Sequence, residues 1–287
     1  MQKNGPTEIF IDFETSVVAI PFNKERRPYE QVAFQFSHHI VYEDGRIEHT
    51  NQYLNNKVGI FPNFEFVREL KRVLEKDQGT IFRYHNHENT VLCQIYEQLG
   101  RSDESDADQL KAWIRTVTTS TDKSEEEWNG DRSMIDLSKI VRLYFYHPLT
   151  NGSNSLKMVL PAILNTSNTL KSLYSKPIYG TRNGIKSLNF QNWVWIEFNE
   201  DGTVKDPYKR LQSIYNGLDR NQLDLIMEND ELADGGAAMT AYAMMQFTEM
   251  EEKERSAICS ALLRYCELDT FAMVLLYQYW ADLLGII

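Results

Sequence analysis

Two acidic residues lie at the end of a short apolar stretch near the N-terminus, in the sequence IFIDFETS of residues 9–16. Alternate side chains of a β-strand point to the same face, so Asp12 and Glu14 are predicted to lie side by side and to repel each other. A divalent cation between the two carboxylates would offset this repulsion, because hard ions such as Mg²⁺ prefer oxygen ligands. The pattern therefore predicts one half of a metal site.

A third acid lies in the sequence RYHNHENTVL of residues 83–92. Residues 79–84 are predicted to form a short strand and residues 87–99 a helix, which places Glu88 in the first helical turn. An acid in that turn is also a favourable partner for the positive end of the helix dipole. Glu88 is therefore a candidate ligand that has a purely structural alternative.

A fourth acid lies in the sequence LLRYCELDTFAM of residues 262–273. Tyr265 and Asp269 are four residues apart, so they share one face of the predicted helix. The neighbouring apolar residues indicate that this helix is packed, and a carboxylate on a packed helix needs a partner. The alternative is a tyrosine–aspartate pair that faces solvent.

The apolar periodicity of the chain predicts a mixed α/β fold that would position these acids. An Asp-Gly turn at residues 44–45 predicts a hairpin between residues 33–42 and 46–53. A second hairpin is predicted near residues 199–202, after an alternating stretch at residues 188–198. Residues 8–14 are predicted to form a strand, and helices are predicted at residues 63–77, 134–145 and 155–164, within 234–250, and along 248–284.

The charge distribution divides the chain into two unlike parts. The net charge of −11 argues against a nucleic-acid binder, but residues 137–196 contain no acid. This window either holds a polyanion or is a solvated surface that lacks acids, and both interpretations stay open. Its basic residues, which are the candidate nucleic-acid contacts, are Lys139, Arg142, Lys157, Lys171, Lys176, Arg182 and Lys186.

Length and cysteine usage set broader limits. The 287 residues suit one domain, residues 1–287, with insertions at about residues 101–132 and about 174–208. The chain has neither an apolar run long enough for a membrane span nor the pattern of a signal peptide. Three cysteines without a CxxC pair predict reduced thiols in the cytoplasm and no zinc site. The first strand begins close to the N-terminus, so we expect a domain from a longer protein or a stand-alone relative.

The acids in this order resemble the DEDD exonucleases. The shared pattern is D-x-E at a strand end, an acid at a strand–helix junction, and Y-x-x-x-D on a late helix. The tyrosine four residues before the last acid is typical of their DEDDy subgroup. MIDLSK, with Asp136, and SNSLKMVL, residues 153–160, are similar to later stretches of these enzymes, which have a ribonuclease H-like fold.

A closer resemblance covers nearly the whole chain. The stretches IDFET, RPYEQVAFQFSHHI, FRYHNHENTVL, SLKMVLPAIL and RYCELDT resemble the bacterial family called domain of unknown function 2779. That family is grouped with ribonuclease H-like nucleases, and its members often carry this domain after a separate nuclease-like domain. The resemblance therefore implies a ribonuclease H-like mixed sheet flanked by helices, and an upstream nuclease-like domain or subunit as a partner.

The resemblance also implies an activity, a cofactor and a set of residue roles. The activity is a 3′–5′ exonuclease that acts on the end of a DNA or RNA strand. The cofactor is a pair of Mg²⁺ or Mn²⁺ ions held by four acids, with Tyr265 orienting the attacking water. The four acids are Asp12, Glu14, Glu88 and Asp269.

One position departs from the exonuclease pattern, which has an aspartate after an aromatic residue at the second motif. Here Glu88 follows His87, and Asn86 and Asn89 are alternative polar groups. Two non-enzymatic alternatives remain: a nucleic-acid-binding module, and a partner-docking module of a larger nuclease system. Clustered acids disfavour the binding module, because they would repel phosphate.

Two histidines and two tryptophans in the sequence each have two possible roles. His85 and His87 flank the predicted strand–helix junction, where we expect them to form hydrogen bonds near the site rather than to bind metal. Trp193 and Trp195 are predicted to share a strand face, where they either pack in the core or stack on bases.

Overall fold

The structure, a computed structural model, describes residues 7–211 and 236–286. Its strands form one mixed sheet in the order β3-β2-β1-β4-β5. β1 pairs antiparallel with β2, and β2 with β3, whereas β4 runs parallel to β1, and β5 to β4. The bounds are β1 (Glu8–Ser16), β2 (Val32–Val41), β3 (Ile47–Leu54), β4 (Thr80–Arg83) and β5 (Ile135–Asp136).

Helices cover both faces of this sheet, as a mixed α/β fold requires. Residues 234 and 235, at the start of the stretch 234–250 that is predicted to contain a helix, lie outside the described residues. None of the described helices is both long enough and apolar enough to cross a membrane. The helices are α1 (Asn63–Leu74), α2 (His87–Leu99), α3 (Ala107–Val117), α4 (Leu137–Tyr144), α5 (Leu156–Thr166), α6 (Asn168–Tyr174), α7 (Pro207–Arg210), α8 (Gly236–Phe247) and α9 (Glu252–Leu283).

The alternation of β1 decides which way its acids point. Ile9 and Ile11 pack on the face covered by α1, α2 and α3. Phe10 points to the other face, where it joins a core formed with α4, α5, α6 and α9. Asp12 and Glu14 continue the series begun by Phe10, so the strand directs both carboxylates towards α9.

The predicted hairpin is confirmed by β2 and β3, and the helix predicted at residues 87–99 is confirmed with the same bounds as α2. The helix predicted at residues 134–145 begins too early. Ile135 and Asp136 instead form β5 against β4, and α4 begins at Leu137. The reason is the cap: the Asp136 carboxylate accepts hydrogen bonds from the Ser138 backbone N–H at 3.0 Å and from its hydroxyl at 2.7 Å.

The alternating stretch at residues 188–198 is not part of a named strand, so that prediction is wrong in detail. Backbone pairs such as Trp193 N–H to the Tyr179 carbonyl hold it in an irregular path. Trp195 is buried against Phe271 and Tyr179, so its core-packing interpretation is confirmed. The second hairpin is present in minimal form, as a single antiparallel bridge between Phe198 and Val204.

A buried carboxylate fastens α9 to the sheet and to the irregular stretch. Glu267 accepts hydrogen bonds from Tyr179 at 2.6 Å, Ser187 at 2.5 Å and Asn189 at 2.7 Å. His49 Nδ1 lies 3.1 Å from Glu267 Oε2, the oxygen that also accepts from Asn189. Burial alone would raise the pKa of Glu267, but these donors hold it below the usual value. The network fixes the helical turn that precedes Asp269.

The same network contains a serine, a histidine and an acid in series. Ser37 Oγ lies 3.1 Å from His49 Nε2, and His49 Nδ1 faces Glu267. This resembles the order of groups in a hydrolytic triad. All three side chains are inaccessible to solvent, and Ser37 also bonds to Thr270 at 2.8 Å. A substrate cannot reach this serine, so the arrangement is structural.

Replacement of Glu267 by glutamine is expected to lower the free energy of unfolding by about 2–4 kcal/mol. The glutamine side chain would place an N–H donor against groups that themselves donate hydrogen bonds to the carboxylate, so at least one of them would lose its acceptor. Urea unfolding of the variant measures this loss. Glu252→Gln, an exposed change in the first turn of the same helix, is the matched control, with an expected cost below about 1 kcal/mol. Equal losses in the two variants would contradict the role of the network.

Candidate active site

A cleft of about 710 Å³ opens on the α9 side of the sheet, where β1 and β4 end. The structure brings all the predicted catalytic residues to this cleft. β1 supplies two acids, the N-terminus of α2 supplies one, and α9 supplies the fourth acid and the tyrosine. These lining residues are Asp12, Glu14, Glu88, Tyr265 and Asp269.

Asp12 and Glu14 are the centre of the cluster. One oxygen of each, together with the Cys266 sulfur, lies within a group whose atoms are all within 4.8 Å of one another. Cys266 Sγ lies 3.6 Å from Asp12 Oδ2. This thiol is not among the predicted site residues, although its i, i+3 spacing from Asp269 on the helix was a usable signal.

The pKa values of the acids reflect their confinement. Burial raises the pKa of Asp12 well above its usual value, and the charges of Asp269, Glu88 and Glu14 raise it further. Burial and then Asp269 raise the pKa of Glu14 to about 8, against an opposing effect of Lys157. The metal-free cluster therefore retains protons at pH 7, because several buried negative charges cannot coexist there without cations.

Glu88 is 2% exposed, and its Oε2 atom makes no hydrogen bond. Burial raises its pKa to about 8, although the Arg83 charge and nearby backbone N–H groups lower it. A surface acid that serves only the helix dipole would be solvated, so burial favours the site interpretation. A buried carboxylate oxygen without a partner is an acceptor that a bound cation would satisfy.

Asn86 and Asn89, the two alternatives to Glu88, do not line the acidic cleft. Asn89 accepts from the Thr119 N–H at 2.9 Å and donates to the Thr119 carbonyl at 2.8 Å, so its amide is fully used. Asn86 is exposed and donates to Thr90 Oγ1 at 3.1 Å. Both asparagines line a neighbouring cleft rather than the acidic one. Of Asn86, Glu88 and Asn89, Glu88 is therefore the one that lines the acidic cleft.

A buried ion pair shapes the junction that carries Glu88. Asp136 accepts from the His85 N–H at 2.9 Å and lies 3.5 Å from the Arg83 guanidinium. Arg83 also donates to the His85 carbonyl, and His85 itself has a positive φ of 73°. His85 and His87 line the cleft, and His87 Nε2 is 3.0 Å from Thr15 Oγ1. The hydrogen-bonding role predicted for His87 is confirmed.

A second tyrosine completes the site. Tyr208 donates a hydrogen bond to Asp269 Oδ1 at 2.7 Å, and its ring centre lies 6.0 Å from that of Tyr265. The Lys157 ammonium lies 5.1 Å from the Tyr265 ring centre and 5.6 Å from that of Tyr208. Asp269 thus faces the cleft rather than open solvent. No sequence signal pointed to Tyr208, which lies in the region expected to be an insertion.

The basic residues predicted to contact nucleic acid divide into two groups. Arg142 and Lys157 line the acidic cleft, and Lys139 lines the neighbouring one. The others line neither cleft, and of these Lys171 is half-buried while the rest are exposed. This second group is Lys171, Lys176, Arg182 and Lys186. The structure therefore concentrates only part of the basic window at the site.

One family comparison gives a match. The model of a family described as Domain of unknown function (DUF2779) matches residues 9–155, which is about half of the chain. The matched part contains Asp12, Glu14 and Glu88, whereas Tyr265 and Asp269 lie beyond it. No curated protein and no solved structure matches the chain.

The raised pKa values give the metal-free protein a specific pH dependence. Glu14 and Glu88 titrate near pH 8 when folded and near 4.3 when unfolded, so the folded state binds more protons in between. Stability must therefore fall as pH rises through this window. Between pH 7 and 8.5 we expect a loss of about 1 kcal/mol for each group.

Urea unfolding with a chelator present measures this dependence. The interval from pH 7 to 8.5 avoids the buried histidines, since lowered pKa values such as that of His38, about 3, affect stability only below the unfolded value near 6.5. Glu14→Gln should flatten the curve. A stability that rises over this interval would contradict the protonated state of the cluster.

Removal of one central charge should stabilise the metal-free protein and abolish its response to metal. At pH 8 with chelator, Asp12→Asn is expected to raise the melting temperature, because one repelling carboxylate is gone. Added Mn²⁺ should raise the melting temperature of the unchanged protein but not of the variant. Glu127→Gln, at an exposed acid, is the control. An unchanged melting temperature on metal addition would contradict the metal site.

Proposed function

Because the chain belongs to the family described as Domain of unknown function (DUF2779), a description that assigns no activity, we propose its function from the geometry of the cleft. The proposal is a divalent-metal-dependent nuclease that hydrolyses phosphodiester bonds of DNA or RNA from the 3′ end. One observation carries it: four carboxylates from β1, α2 and α9 converge on one cleft beside basic side chains.

The donor set fits Mg²⁺ or Mn²⁺. Asp12, Glu14, Glu88 and Asp269 offer only oxygen ligands, which these ions prefer. The unpartnered Glu88 Oε2 and the raised pKa values of Asp12, Glu14 and Glu88 support this assignment, because a bound cation would contact the oxygen and favour the charged carboxylates. When bound, two such ions would activate water and neutralise charge on the phosphate and the leaving oxygen.

The surrounding side chains would complete the reaction site. Tyr265 lies on the same helical face as Asp269, where its hydroxyl can orient the attacking water; its usual pKa near 10 makes it a poor base unaided. Arg142 and Lys157 would bind the phosphate oxygens at the cleft wall. Tyr208 would hold Asp269 in place through its 2.7 Å hydrogen bond.

The architecture supports the same proposal. An antiparallel β3-β2-β1 unit extended by parallel strands, with helices on both faces, is the arrangement expected of the ribonuclease H-like fold that we propose. Two of its acids project from the end of β1, the third lies in the first turn of α2 after β4, and the fourth lies on α9. The three cysteines are unpaired, which supports a reducing compartment, and we propose a cytoplasmic location.

The activity test uses short end-labelled single-stranded DNA and RNA with Mg²⁺ or Mn²⁺. The expected result is a ladder that shortens from the 3′ end and is abolished by chelator. Asp12→Asn and Asp269→Asn should each lower the rate by more than the roughly 10–100-fold typical of losing an outer-shell partner. Glu127→Gln should cleave at the unchanged rate.

Two outcomes would contradict the proposal. One is the absence of cleavage of either polymer by a folded sample that binds metal. The other is cleavage that Asp12→Asn and Asp269→Asn leave intact, because the acids of the cleft would then not carry the activity.

A further inference from the structure

An exposed aromatic segment borders the acidic cleft. Arg142, at the end of α4, lines the cleft, and the chain re-enters the lining at Asn154. Between them, residues 143–153, here called the rim segment, leave the cleft and return to it. Both ends of the rim segment therefore adjoin the site, and its middle extends along α5, where His147 contacts Thr166 at the far end of that helix.

The rim segment alternates between anchored and outward side chains. The Phe145 ring packs edge-on against Tyr279 with 6.1 Å between ring centres, and His147 Nε2 lies 3.0 Å from Thr166 Oγ1. Phe145 has extended backbone angles and directly follows Tyr144, the last residue of α4. Tyr144 is 79% exposed and Tyr146 is 87% exposed. Two rings thus face solvent, on residues whose Cα atoms lie about 6–7 Å apart across the extended Phe145.

The charge around the rim segment restricts what it can bind. No acid occurs between residues 137 and 196, so neither the rim segment nor its chain neighbours would repel an anion. Arg142 directly precedes the rim segment and Lys157 follows its last residue by four positions, and both line the cleft. A ligand that suits this surface carries both negative charge and flat apolar rings. Nucleic acid has both, in its phosphates and bases.

We propose that Tyr144 and Tyr146 form a stacking platform for unpaired bases of a single-stranded nucleic acid whose end lies in the cleft. The inference rests on the proposed function for the position of that end. The bases of a duplex stack on each other and offer no open faces, whereas an unpaired base can stack on a tyrosine ring. The platform therefore selects a single-stranded substrate.

The test measures binding of a fluorescent single-stranded oligonucleotide to the full chain carrying Asp12→Asn, so that the strand is not degraded. Tyr144→Leu combined with Tyr146→Leu removes the rings but keeps apolar side chains. Its dissociation constant is expected to rise at least about tenfold. Tyr144→Phe combined with Tyr146→Phe keeps the rings and should bind within about twofold of the parent. Phe198→Leu, at an exposed ring on the second hairpin, is the matched control and should bind unchanged.

A second oligonucleotide, with abasic sites in place of its internal bases, identifies the contact. It should bind the parent and the double leucine variant equally weakly, because it has no bases to stack. The proposal would be overturned if the double leucine change weakened the binding of both oligonucleotides by a similar factor. It would also be overturned if the parent and the double leucine variant bound the intact strand with equal affinity. Either result would assign the exposed rings to another partner, such as a protein.

Hydrolysis of thymidine 5′-(4-nitrophenyl phosphate) by the unmutated protein separates this inference from the proposed function. This small diester reports the chemistry of the cleft without a strand. Metal-dependent hydrolysis with ring-independent strand binding would overturn the platform and leave the nuclease intact. Ring-dependent strand binding without hydrolysis of the diester or of any strand would uphold the platform and overturn the nuclease.

Discussion

Mutual repulsion among carboxylates is the constraint on which the rest of the structure depends. β1 places Asp12 and Glu14 on one face, and α2 and α9 bring Glu88 and Asp269 close enough to raise the pKa of Asp12. Apolar packing forces this arrangement, because Phe10 and the buried face of α9 belong to one core. The carboxylate cluster therefore destabilises the fold unless protons or cations neutralise its charge.

The surroundings of the cluster are built to resist that repulsion. Glu267, two residues before Asp269, ties α9 to β3 and to the irregular stretch, and Asp136 holds the junction that carries Glu88. Both supporting acids have lowered pKa values because donors surround them, whereas Glu14 and Glu88 have raised ones. This contrast separates the acids that stabilise the fold from those available to a ligand.

Local sequence patterns predicted most of the strands and helices. The resemblance to the DEDD exonucleases predicted that acids distant in the chain would form one site. The strand period alone paired Asp12 with Glu14, but no local signal could bring Asp269 to them across the chain. β5 was missed because a two-residue strand depends on its neighbour rather than on its own periodicity. Tyr208 was missed because its contact with Asp269 spans 61 residues and arises from the path of an irregular segment.

Calorimetric titration of the chain with Mn²⁺ at pH 7.5, in two buffers of different ionisation enthalpy, tests the central claim most directly. The account predicts saturable binding that releases protons, so the heat differs between buffers, and it predicts loss of binding in Asp12→Asn. Absence of binding, or binding that Asp12→Asn leaves unchanged, would show that the carboxylate cluster is not a metal site.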